Sequence, residues 1–127
     1  MIVVAHPDAE VRGALEALLR ADGHRTVGAA SIAAARRALA SPIDAMIAAL
    51  ELSGRPAGGL ELLARTRELQ PGAARALITL APGSVAENAF VAGLAHRVWT
   101  VPIDEHSLRT WFGRTLGHHA RRSVPSR

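Results

Sequence analysis

The 127-residue chain contains no cysteine, no tyrosine and no lysine, so all fifteen of its basic side chains are arginine. Without cysteine there can be no disulfide scaffold, thiolate zinc site, iron–sulfur cluster or thiol nucleophile. Any metal site would have to be built from His, Asp and Glu. Aromatics are nearly missing too: two tryptophans and two phenylalanines. No apolar run reaches the ~18 residues a membrane helix needs. Met1 to Ala5 lack the charged start and long apolar stretch of a secretory leader. The expected address is therefore the cytoplasm.

The formal net charge is +4, and the pI of ≈ 11.4 points at first to nucleic acid. Three arginines, Arg121, Arg122 and Arg127, lie after Gly117, which leaves twelve positives against eleven acids in the body. The pI is inflated because no Lys, Tyr or Cys titrates between histidine and arginine. A domain over residues 1–117 with a basic, flexible tail over 118–127 is the expected organisation. Three tail arginines give a salt slope of only about −2.7, so nucleic-acid association is expected to be weak and confined to the tail. His118 and His119 read as solvated tail residues.

Short apolar runs alternate with helix-period segments. Residues 2–5 read as a buried strand ended by Pro7, with Asp8 placed to cap a helix whose face is Val11, Leu15, Leu18 and Leu19. His24 to Ala29 is a weaker strand, and Ser31 caps an Ala-rich helix running to Ala40. Asp44 to Leu50 is the third strand. A Gly/Pro loop over 53–59 follows and reads as a flexible turn, lacking the Gly-Lys-Ser/Thr ending of a phosphate-binding loop. The next helix carries Leu60, Leu63, Arg67 and Gln70 to Pro71-Gly72. Ala76 to Ala81 is the fourth strand, Pro82-Gly83 a turn, and Ser84-Val85-Ala86-Glu87 a capping box. Val98 to Val101 is the fifth strand. Asp104 caps a last helix with Leu108, Trp111, Phe112 and Leu116 on one face. Five β–α repeats predict an α/β three-layer sandwich with a parallel sheet and helices on both faces. The working site of such a fold lies at the carboxyl ends of the strands.

The strand ends carry a resemblance. Residues 2–12 (IVVAHPDAEVR), Leu50-Glu51-Leu52-Ser53-Gly54 with Gly59-Leu60-Glu61-Leu62-Leu63, Ala81-Pro82-Gly83-Ser84-Val85 and Val101-Pro102-Ile103-Asp104 occur in order at the spacing of response-regulator receiver domains. The resemblance covers residues 2 to about 116. It implies a flavodoxin-like (βα)5 fold with sheet order 2-1-3-4-5 and a role in two-component signalling in a bacterium. It also implies where phosphorylation chemistry would sit, and there the residues depart from the family. The phosphoacceptor position is Ala49, the acidic pair is His6-Pro7, the hydroxyl position is Leu80 with Thr79 just before it, and the lysine position is Val101. The family's switch aromatic falls at Val98. Four losses in one pocket predict a pseudo-receiver with no catalytic residue, no metal and no cofactor.

The degenerate pocket is thus expected at His6, Pro7, Asp8, Ala49, Glu51, Leu80 and Val101. Asp8 reads there as a helix cap and Glu51 as a solvated loop residue. The resemblance places partner contacts on the helix after Ser84, the fifth strand and the last helix, which nominates Phe90, Val98, Trp99, Trp111 and Phe112. Trp111 and Phe112 are adjacent and cannot both sit centrally on a narrow stripe, so one should flank the surface. The expected function is phosphorylation-independent regulation through a protein partner, with a homodimer as one form. The alternatives are a small-molecule regulatory domain using the apolar pocket, or weak nucleic-acid association through the tail. No membrane partner is expected.

Overall fold

The computed structural model describes residues 1–80, 88 and 92–123, with 117–123 described by backbone alone. Five strands, β1 (Ile2–Ala5), β2 (Thr26–Ala29), β3 (Ala45–Ala49), β4 (Ala74–Thr79) and β5 (Arg97–Thr100), form one sheet. Every pairing is parallel and the order is β2-β1-β3-β4-β5, as the sequence predicts. The described helices are α1 (Ala9–Ala21), α2 (Ile32–Ala38), α3 (Gly58–Leu69) and α4 (Glu105–Ser123).

Alternation along the strands divides the core in two. Val3, Ala5, Met46, Ala48 and Leu77 pack with Ala35 and Leu39 of the α2 region and Leu62 and Leu63 of α3. Their strand neighbours Ile2, Val4, Ala45, Ile47, Ala76 and Ile78 pack on the other side with Leu15 and Leu19 of α1 and Leu108 and Phe112 of α4. A parallel sheet covered on both faces needs such near-continuous apolar strands, and the burial of all of β1 and β3 supplies them.

The expected caps form. Asp8 Oδ1 accepts from the Glu10 and Val11 amides (2.8 and 3.2 Å), Ser31 Oγ from Ala34 (3.1 Å), and Asp104 Oδ1 from His106 (3.1 Å). Several details differ from expectation. Strand β4 starts at Ala74, bringing Arg75 inside it. The buried stripe of α3 is Gly58, Gly59, Leu62, Leu63 and Thr66, whereas Arg67 is exposed. Helix α4 continues past Gly117 to Ser123, so the helix takes in most of the segment expected to be a tail; residues 124–127 lie outside the description. Pro82-Gly83, the capping box at 84–87 and Phe90 also lie outside the described residues.

The 53–59 loop is tied down. Ser53 (φ 59°) and Gly54 (φ 70°) turn the chain through the left-handed region, and Ser53 Oγ accepts from the Ile32 amide at 2.9 Å. Its last glycines allow close packing of α3 on the end of β3. A Cβ on Gly59 would lie 2.1 Å from the Ala49 carbonyl oxygen, and one on Gly58 2.3 Å from that of Leu52.

Candidate functional site

The carboxyl ends of β1, β3, β4 and β5 enclose a cleft of about 360 Å³ lined by His6, Pro7, Ala49, Leu50, Glu51, Ile78, Thr79, Leu80 and Val101. The fold therefore brings together six of the seven residues expected there from distant parts of the sequence. Asp8 is outside the lining, its carboxylate turned to the α1 amides. Leu50, Ile78 and Thr79 line the cleft beyond the set nominated as site residues. The sheet pairing that aligns Ala49 with Ile78 brings the latter in, and that pairing is long-range and invisible to local pattern.

The floor is apolar and closed: Ala49 and Ile78 are buried. The rim is apolar and open, with Leu80 75% and Val101 38% exposed. His6 is the best-defined polar group. Its backbone N–H donates to Ala29 at 3.0 Å, and its carbonyl accepts from Arg12 Nη1 at 2.8 Å. Its ring Nδ1 accepts the Asp8 amide at 3.0 Å. Burial holds the imidazole below its ordinary value; the Asp8 carboxylate opposes this and the Arg12 cation adds to it. With Nδ1 an acceptor, the neutral ring carries its proton on Nε2. Glu51 is exposed. Val101 precedes a cis-bonded Pro102.

A divalent cation such as Mg²⁺ requires several oxygen ligands, and the described lining offers one carboxylate, Glu51. The residues do not fit such a metal. Among the described residues no group of three or more His, Asp or Glu could hold an ion. Among the described residues no arginine lines the cleft.

This geometry sits on a widely shared scaffold. The model superposes on a CheY-like response regulator receiver domain protein from Methanospirillum hungatei with a TM-score of 0.83, at 15% identity, over 96% of this chain and 97% of that one. It matches the signal receiver domain of an HD domain-containing protein from Pseudomonas fluorescens equally well (TM-score 0.83, 25% identity, 94% and 96% coverage). A response regulator receiver domain protein from Clostridium thermocellum follows at 0.78, with 18% identity over 94% and 95%. The fold is that of receiver domains. No family model and no curated protein matches the sequence.

The proposed partner residues divide. Trp99 (5% exposed) and Phe112 (1%) belong to the core under α1 and α4, which removes both from an exposed partner surface. Burying the chain's scarce aromatics together fills that layer. The Trp99 and Phe112 rings stack at 6.0 Å, and Trp111 meets each edge-on at 5.5 and 4.8 Å. Trp111 and Val98 are half-buried and pack against the two core clusters from outside. Of the adjacent pair, Trp111 is the one flanking the surface. Phe90 lies outside the described residues.

At the opposite end of the sheet lies a buried arginine that no local pattern announced. Arg75 donates from Nε to Leu94 (2.9 Å) and from Nη2 to Gly93 (3.0 Å), and its amide donates to His96 Nδ1 at 3.0 Å. No carboxylate pairs with it among the described residues. Backbone carbonyls do that work, fixing residues 93–96 to β4. Burial first, and the Arg75 cation second, hold His96 below its ordinary value.

Proposed function

We propose that the chain is a signalling module of the two-component type that acts through protein contact, without aspartyl phosphorylation. The observation that carries this is Ala49, which sits at the end of β3 on the floor of the cleft. A phosphoacceptor needs a nucleophilic carboxylate there, and transfer depends on positioning and on charge to neutralise the phosphoryl oxygens. The described lining supplies neither a carboxylate at that position nor a cation. Receiver folds serve generally as non-enzymatic modules, and one of the structures above is the signal receiver domain of an HD domain-containing protein, which supports output through another domain or protein. The module is assigned to residues 1–117. Its contact surface is assigned to β5 and α4, with Val98 and Trp111 as the half-buried residues available there.

The test is an amide NMR titration with beryllium fluoride and Mg²⁺, which together mimic an aspartyl phosphate. The expected result is no response. Shifts clustered at residues 6, 49, 80 and 101 overturn the reading.

A further inference from the structure

We infer that the cleft at the carboxyl ends of β1, β3, β4 and β5 is a binding site for a compact, uncharged, mainly apolar molecule bearing one carbonyl or ether oxygen. The inference rests on the preceding reading, because it takes the site to be free of phosphoryl chemistry.

Three observations carry it. The first is shape: about 360 Å³ lies within the range of small-molecule sites, which are concave, mostly apolar and equipped with a few polar groups. The second is the wall. Ala49, Leu50, Ile78, Leu80 and Val101 present carbon, and Leu80 and Val101 stand exposed at the rim. Apolar surface left in water at a concave site is stabilised by any apolar body that covers it.

The third is charge. The described lining has no cation, and its one carboxylate is Glu51, so anions, phosphates included, are disfavoured. Arg12 is engaged with the His6 carbonyl and is not part of the lining. His6 supplies the orienting group. Its Nδ1 is occupied by the Asp8 amide, and burial favours the neutral ring. The remaining Nε2–H is a donor with no partner among the described residues. A neutral N–H against an apolar wall selects an uncharged oxygen acceptor in preference to an anion, whose desolvation would go uncompensated.

The test is a backbone-amide NMR titration of the full chain with cyclohexanone, with cyclohexanecarboxylate and inorganic phosphate run in parallel. Saturable shifts at residues 6, 49–51, 78–80 and 101 with the ketone, and none with phosphate, are expected. Leu80→Asp, at an exposed position, should weaken ketone binding by about tenfold, and His6→Ala by about fivefold, with circular dichroism confirming that each variant is folded. The inference is overturned if the ketone produces no saturable shift, if the carboxylate binds as tightly, or if both variants bind as wild type. A silent ketone beside a silent beryllium fluoride titration removes this inference alone. A response to beryllium fluoride removes the reading beneath it as well.

Discussion

Asp8 does two things at once: its carboxylate caps α1, and its amide sets the tautomer of His6. Replacing the carboxylate removes only the first. Asp8→Ala is therefore expected to cost about 1 kcal/mol of stability, read by urea denaturation, and to leave the His6 amide environment largely intact in NMR spectra. Gly59 is the opposite kind of residue, needed for what it lacks. Its α-carbon packs so close to β3 that a methyl group would meet the Ala49 carbonyl, and backbone atoms cannot rotate away. Gly59→Ala should cost about 3 kcal/mol. Because Ala49 floors the cleft, its amide resonance should shift too. A variant as stable as wild type would show that α3 does not pack on β3 in this way.

Among the elements, the segment between Ala92 and His96 is held by side chains of its neighbours. Arg67 Nη1 donates to Ala92 at 3.1 Å, and Arg75 reaches Leu94 and Gly93. His96 closes the arrangement by accepting the Arg75 amide while donating its own amide to the Arg75 carbonyl at 2.7 Å. Protonating its ring would break the Arg75 N–H contact and set a second cation beside the guanidinium. The folded chain consequently binds this proton less readily than the unfolded chain, whose histidine titrates near 6.5. His6 is shifted in the same direction. Stability is thus full above about pH 6.5 and falls as the pH drops below it, levelling off once the folded-state histidines also protonate. His96→Gln should flatten this fall without abolishing it, since His6 contributes the rest; urea midpoints between pH 5 and 8 read the slope. An unchanged slope would mean that Arg75 and His96 are not neighbours.

For the whole molecule, the two core layers share the work of holding the cleft open at one end of the sheet. Helix α4 is bound to the body by the aromatic cluster and by Arg109, whose Nη2 and Nε reach Asp22 at 2.6 and 2.9 Å. That contact draws the Asp22 carboxyl below its usual value. The aromatic cluster lets two adjacent residues be separated experimentally. Phe112→Ala leaves a hole in the core and should cost about 3–5 kcal/mol, seen as a lowered denaturation midpoint. Trp111→Ala, on the half-buried flank, should cost less stability and instead abolish partner capture in a pull-down against the purified candidate sensor or effector. Capture retained by a folded Trp111→Ala variant would place the partner elsewhere.

The five strands of the sheet were legible in the sequence because apolar runs, caps and breakers recur at one spacing, and each is a local signal; their order was implied by the resemblance to receiver domains. The chemistry of the strand ends was legible directly: Ala49, Leu80 and Val101 carry no carboxylate, hydroxyl or ammonium group, whatever surrounds them. Long-range packing decided the rest. That Ile78 joins the cleft follows from the register between β3 and β4, and that Trp99 and Phe112 are core follows from how α4 lies on the sheet. Arg75 could not be seen as buried, since it precedes the apolar run that starts at Ala76, and only the fold shows backbone carbonyls receiving its guanidinium. The 53–59 loop, which looks loose by composition, is tied down because Ser53 Oγ accepts the Ile32 amide and Gly59 lies against the Ala49 carbonyl of β3. Local pattern was enough for a five-stranded α/β frame with apolar residues at its strand ends. That those ends close into one apolar cleft follows from packing, because contacts between residues far apart in the chain depend on how the elements meet.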